Sequence, residues 1–206
     1  MTKLLRQIPY FSQWESAELV DEIIEGTIKA GEDPRWKKSG ANTPAEYELW
    51  SWNVCGMACL KMILMRKFGK EYKTIELAKK CEEYGGYIKK GKAIDGLFYE
   101  PFIIFLKKEL KLKAKVFKRF LTLWRIKREL KKGNYFIVSV SASIRKPVHT
   151  PEHKGGHLVL MTWSDDERKT LFLHNPSGFF GESQENCEIA EKDFKRFFAG
   201  RGILVY

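Results

Sequence analysis

The 206-residue chain predicts an α+β fold on two observations. Helix-spaced apolar residues dominate its first part, and short apolar runs bounded by turn residues dominate its second. Segregation of this kind separates α+β architectures from alternating α/β ones. One domain spanning residues 1–206 is expected, because 44% hydrophobic and 14% aromatic residues are ample for a single buried core.

The elements follow in order. Residues 16–30 (SAELVDEIIEGTIKA) read as a helix with Leu19, Ile23 and Ile24 on one side. Residues 31–44 are rich in Gly, Pro, Asn and Asp and predict a loop. WNVCGMACLKMILMRKFG, residues 52–69, predicts a helix with Asn53 as its N-cap and Gly69 as its stop. TIELAKKCEEYG (74–85) predicts the next helix, followed by a loop of glycines and lysines through Lys92. DGLFYEPFIIFLKKEL (95–110) reads as a helix that starts or kinks near Pro101. KAKVF (113–117) is a short strand, LTLWRIKRELKKG (121–133) a helix and NYFIVSVSAS (134–143) a strand. After a loop carrying Pro147 and Pro151 come two apolar runs joined by a charged turn, GGHLVLMTWSDDERKTLFLHNPSG (155–178). EKDFKRFFAG (191–200) predicts a late helix and GILVY (202–206) a closing strand.

The charge of +11 is unevenly spread. Residues 15–33 are acidic, and Lys107 to Lys132 is strongly basic. No recognisable nucleic-acid motif accompanies the basic stretch, so it reads as a solvated lysine-rich helical face and no nucleic-acid partner is expected. No apolar run approaches the roughly 18 residues a membrane span needs. The opening MTKLLRQIPYFSQ lacks the apolar stretch of a secretory signal. A cytoplasmic protein is therefore expected, and cysteines at 55, 59, 81 and 187, spaced for neither a disulfide framework nor metal knuckles, agree with that.

The paired runs carry the first chemical signal. A hairpin centred on Asp166 makes the numbers of facing residues sum to about 332, as those of His157 and Asn175 do. An amide oxygen beside an imidazole fixes its ring orientation and tautomer, which is the orienting role in a nucleophile–base–orienter chain. Gly155 and Gly156 leave the approach to His157 free of side chains. Among the cysteines, Cys55 falls in the first turn of a helix, where free N–H groups and the dipole favour a thiolate and lower its pKa. Cys59, one turn on, continues into Met62 and Ile63 and reads as core packing.

Those same residues lie in motifs. WNVCGMACLKMILMRKFG resembles the "CGxAxLxMxLxxxG" helix of papain-like cysteine peptidases, and more closely the branch related to peptidases that remove double-glycine leaders from bacteriocins. IPYFSQ (8–13) resembles that branch's "VPYxxQ", GGHLVLMTW its "GGHxVVVxGY", and LFLHNPSG its "VxVxDPxxG". NYFIVSVSAS resembles the strand "G-x-P-V-I-V-x-V" before the histidine.

The resemblance implies a papain-like α+β fold, with the cysteine helix in a helical part packed on a C-terminal antiparallel sheet. It implies Cys55 as nucleophile, His157 as general base and acid, Asn175 as orienter and Gln13 as oxyanion donor, with Asn53 as the fallback donor. The implied activity is hydrolysis of a peptide or amide bond in a peptide or protein substrate, through an acyl-enzyme and with no cofactor. Two departures stand out. Asn175 occupies the place of the branch's usual aspartate, and Gln13 precedes Cys55 by 42 positions, so that residues of about 14–52 form an insertion that returns the chain beside Gln13. The acidity of that insertion would favour basic substrates.

Three alternatives remain open on sequence alone. One is a catalytically inactive relative that binds peptide or protein, and another is acyl transfer to an amine on the same triad. The third is a zinc site on His149, His153 and His157, which the surrounding prolines and glycines disfavour by breaking the helix that such spacing needs.

Overall fold

The computed structural model describes residues 7–148 and 150–206. Helices fill the first half: α1 (Val20–Glu25), α2 (Pro44–Ser51), α3 (Cys55–Phe68), α4 (Thr74–Glu82) and α5 (Tyr99–Glu109). A small hairpin of β1 (Tyr87–Lys90) and β2 (Ala93–Gly96) interrupts them. The second half builds a six-stranded antiparallel sheet from β3 (Ala114–Phe117), β4 (Tyr135–Ser141), β5 (Gly156–Asp165), β6 (Thr170–His174), β7 (Cys187–Ala190) and β8 (Phe198–Val205). Its strand order is β3-β8-β4-β5-β6-β7. Two further helices, α6 (Leu123–Lys131) and α7 (Glu191–Phe197), cover the sheet's second face. The mixed helical and antiparallel-sheet architecture predicted from the sequence is the one observed.

Helix α3 is the axis of the molecule. Every residue from Gly56 to Leu64 is buried, as expected of a helix surrounded by other elements rather than resting on one of them. It packs on β5 and β4 on one side and on α4 on the other. Gly69, in the left-handed conformation at φ 64°, ends it through an N–H donated to the Met65 carbonyl. Lys61 is the exception in this apolar surface. Its ammonium is 3.0 Å from a Glu71 carboxylate oxygen and 4.3 Å from the centre of the Phe11 ring, so the buried charge is matched.

Several expectations are corrected. The helix expected over 16–30 is a 3-10 turn (Ala17–Leu19) followed by the short α1, because Gly26 turns left-handed at φ 78° and stops it. The loop over 31–44 contains a second and a third 3-10 turn, Ala30–Glu32 (just overlapping it) and Trp36–Ser39, arranged around Asp33. That buried carboxylate accepts from Ser16 N–H, Ser16 Oγ, Tyr47 Oη and Arg35 N–H. The Gly/Lys loop before Lys92 is instead the β1–β2 hairpin, with Lys90 opposite Ala93 across a Gly91-Lys92 turn. Pro101 lies in the first turn of α5, where its missing N–H costs nothing, and does not kink it.

Candidate active site

The candidate site lies where the N-terminus of α3 meets the ends of β4, β5 and β6. Two sequence-distant segments are laced together there. His174 Nε2 donates to the Ile8 carbonyl at 2.8 Å, and Tyr10 Oη donates to the Asn175 carbonyl at 3.0 Å. Ser12 Oγ and the Gln13 N–H both donate to the Pro176 carbonyl, at 2.9 and 2.8 Å. Residues 8–13 and 174–176 therefore form one fixed unit around the candidate residues.

His157 and Asn175 meet within this unit. His157 Nε2 is 2.7 Å from Asn175 Oδ1, and both residues are buried. The register that brings them together is not the one centred on Asp166. Asp165 pairs with Thr170, and a bulge between Met161 and Trp163 shifts the ladder so that Leu160 pairs with His174. Continued past the last pair, this register puts Ser177 opposite His157, with Asn175 two residues away on the same face. Without the bulge Asn175 would fall on the opposite face, because a one-residue slip inverts a strand. Ser177 Oγ is in fact 3.1 Å from His157 Nε2, and the Ser177 N–H donates to Asn175 Oδ1 at 3.2 Å, fixing the amide. Among the described residues Asn175 Nδ2 has no hydrogen-bond partner.

Cys55 opens α3, but its N-cap is Val54 rather than Asn53. Asn53 is tied to the preceding helix by Nδ2 donating to the Leu49 carbonyl at 3.0 Å. The Cys55 thiol lies where the backbone of Gly56 and Leu158 favours its thiolate, and Leu158 is the residue after His157. One turn on, Cys59 Sγ donates to the Leu158 carbonyl at 3.7 Å, so both cysteines face the same residue of β5. Cys59 is fully buried core, as expected. A Cβ on Gly56 would come within 2.8 Å of Leu97 Cδ2 and 2.9 Å of Leu158 Cδ1, and its absence lets helix and strand approach.

The electrostatics differ from expectation. Burial raises the Cys55 thiol pKa and outweighs the Leu158 and Gly56 N–H groups and the Arg145 charge, which pull it down. Burial, with Arg145 adding to it, lowers His157 to about 4 against the opposing bond from Asn175. Burial thus disfavours the charged form of each group, the Cys55 thiolate and the His157 imidazolium.

Gln13 is buried. Its Nε2 donates to the Ser51 carbonyl at 3.0 Å, so the segment leaving at Trp14 has returned to Gln13 by residue 51. Trp14 and Trp52 pack edge-to-face at 5.1 Å where it does so. Between α2 and the tip of the β1–β2 hairpin lies a cleft of about 490 Å³, lined by Glu48, Leu49, Trp52, Asn53 and Lys92. The acids of the 14–52 segment are largely engaged within the fold. Asp33 is buried, Glu18 pairs with Arg35 at 2.7 Å, Glu32 caps the Lys29 N–H, and Asp21 accepts from the Phe180 N–H. Glu22 and Glu25 are exposed.

Two residues near His157 escaped the sequence reading. One is Ser177. The other is Arg145, which ends a 3-10 turn (Ala142–Arg145) that follows β4 directly and whose Nε reaches the Ser177 carbonyl at 2.7 Å and Oγ at 3.0 Å. The turn residues of NPSG were a usable signal for Ser177, through its short turn with Asn175. Nothing in SASIRKP marks Arg145, because its role depends on where β4 ends.

His149, one of the three expected in a metal series, lies outside the described residues, as do residues 1–6 of the opening segment. Among the described residues no group of three or more His, Cys, Asp or Glu is placed to hold a metal. Among them, too, no helix is long and apolar enough to cross a membrane.

Comparison with known proteins agrees with the architecture. No curated protein matches the sequence. The crystal structure of a candidate C39-like peptidase from Bacillus anthracis superposes with a TM-score of 0.53 at 15% identity, over 74% of this chain and 88% of that one. That likeness shows the fold. The sequence pattern of the Peptidase C39-like family matches residues 6–201, a span that holds Gln13, Cys55, His157 and Asn175 together. The chain belongs to the Peptidase C39-like family of papain-like cysteine peptidases.

Proposed function

We propose that the protein is a cysteine peptidase-like hydrolase that cleaves a peptide or amide bond with Cys55, His157 and Asn175. The observation that carries this reading is the 2.7 Å contact of His157 Nε2 with Asn175 Oδ1, beside a cysteine that opens a buried helix. Asn175 holds the proton on Nε2 and leaves Nδ1 as the base. Because burial disfavours both the thiolate and the imidazolium, the thiol proton moves to His157 as Sγ attacks the acyl carbon. The oxyanion is held by the Cys55 N–H in the first turn and by the Gln13 Nε2 hydrogen not donated to Ser51. His157 then protonates the leaving amine, and water activated by the same imidazole hydrolyses the thioester. An uncharged orienter suits this cycle, since the imidazolium exists only transiently.

The test is cleavage of a proteome-derived peptide library, read by mass spectrometry against Cys55→Ala and His157→Ala. Cleavages made by the native protein and absent from both variants are expected. Cleavages that persist in Cys55→Ala would refute the assignment. Hydroxamates formed when the digest is repeated with hydroxylamine would report the acyl-enzyme common to both activities, and hydrolysis is told from acyl transfer by whether the cleaved acyl group is recovered as a free acid or joined to an amine.

A further inference from the structure

Arg145 is half-buried, its charge acts on the candidate nucleophile, and among the described residues it has no carboxylate partner. Its Nε is committed twice to Ser177, at 2.7 Å to the carbonyl and 3.0 Å to Oγ. Ser177 Oγ is in turn 3.1 Å from His157 Nε2, so the guanidinium is two hydrogen bonds from the base. Its terminal nitrogens, Nη1 and Nη2, have no hydrogen-bond or ion-pair partner among the described residues. Lys61, Lys79 and Lys127 are matched, by Glu71, by Glu46, and by Asp166 and Glu191. Arg66 and Arg125 are half-buried too, and what distinguishes Arg145 is its tie through Ser177 to His157. A desolvated arginine without a counter-charge is costly unless something outside the protein supplies one.

We infer that Arg145 forms a carboxylate subsite, its terminal nitrogens binding a carboxylate that the substrate carries near the scissile acyl group. This inference rests on Cys55 and His157 acting as the catalytic pair, and it names the class of their substrate. The planar guanidinium fork fits a carboxylate bidentately, which an ammonium does not. Arg145 Nε held on Ser177 fixes the fork against rotation. The carboxylate has two possible sources, a free C-terminal α-carboxylate or an acidic side chain, and both present the same planar anion.

Iodoacetate and iodoacetamide separate the inference from the reading on which it rests. Both alkylate a thiolate with loss of iodide, and they differ in presenting a carboxylate or a neutral amide. Labelling of Cys55 is followed by mass spectrometry in the native protein, Arg145→Gln and Arg145→Lys, each first checked for a cooperative thermal transition. In the native protein iodoacetate should label Cys55 with saturable kinetics and at least as fast as iodoacetamide. The iodoacetate-to-iodoacetamide rate ratio should fall about tenfold or more in Arg145→Gln, as loss of charged hydrogen bonds predicts, and be only partly kept in Arg145→Lys. The ratio is the readout, because loss of a nearby cation slows both reagents. Protection of Cys55 from iodoacetamide by a peptide with a free C-terminus, against one with an amidated C-terminus and a glutamate side chain, identifies the source of the carboxylate. A native ratio no higher than that of Arg145→Gln, or equal protection by a neutral amidated peptide, would overturn the subsite while leaving the catalytic pair intact. Labelling of Cys55 by either reagent that is indifferent to His157→Ala would instead remove the catalytic pair and the subsite with it.

Discussion

Replacing Asn175 with aspartate changes one atom beside the base and puts a charge where the family resemblance expects one. Asn175 Oδ1 is 2.7 Å from His157 Nε2, which places the centres of a carboxylate and an imidazolium about 4 Å apart. At an effective dielectric constant of about 20 their attraction is about 4 kcal/mol, equivalent to about 3 pKa units. The amide already favours the imidazolium through its oxygen, and Arg145 would draw on part of the new charge, so the net rise should be about 1 to 3 units. His157 in Asn175→Asp should therefore titrate between about pH 5 and 7 instead of about 4. The assay is NMR titration of histidine ring carbons, with His157→Gln assigning the signal and His174 as an internal control. His174 should stay near 4 in both proteins, because burial lowers it and its environment does not change. The variant should fold, since the Nδ2 that the new oxygen replaces has no partner to lose. A His157 pKa that stays near 4, or falls, would refute the reasoning.

Three other outcomes follow from the same contacts. His157 and His174 are held at about 4, below the ordinary 6.5 of an unfolded chain, so the unfolded state takes up protons first as pH falls. The stability gained by keeping each ring neutral is full above about pH 6.5 and is lost by about pH 4, amounting to about 3 kcal/mol per histidine. Urea midpoints measured across that range should show a shallower pH dependence in His174→Gln than in the native protein, and an unchanged slope would contradict the assignment. Gln13→Ala should lower kcat on a cleaved peptide by about 10²–10³ while alkylation of Cys55 by iodoacetamide, which forms no oxyanion, changes far less. Equal loss in both assays would make Gln13 merely structural. In Gly178→Ala the new Cβ would lie 2.1 Å from the Ser183 carbonyl oxygen, and backbone cannot yield as a side chain does. A loss of about 1–3 kcal/mol or more is expected by thermal denaturation, together with a shifted His157 signal because the neighbouring Asn175 N–H bonds to Gln184.

What could be read from the sequence was set by range. Helix α3 was legible because its stop and its apolar residues are local, ending at Gly69 as expected, although its N-cap is Val54 and not Asn53. The meeting of His157 and Asn175 was legible as a pairing, but its register was not. A bulge between Met161 and Trp163 depends on how β5 lies against its neighbours, and no residue type announces it. The β1–β2 hairpin was hidden because lysines on its exposed faces erase the alternation that marks a half-buried strand. The Cys55 pKa went the other way from expectation for the same reason. Position at a helix start is local, whereas desolvation comes from β5 and the segment around residue 13, which are distant in sequence. Arg145 was invisible on those grounds, and it is the residue that most changes the reading of the site.

Selective alkylation tests the central claim most directly, because it needs no knowledge of the natural substrate. The folded protein is treated with iodoacetamide at neutral pH, and the adducts are located by mass spectrometry in native protein and His157→Ala. Cys59 and Cys81 are fully buried and Cys187 lies away from the base, so Cys55 should be labelled first and several-fold more slowly once His157 is gone. Labelling spread evenly over the four cysteines, or a Cys55 rate that does not respond to the loss of His157, would contradict the account.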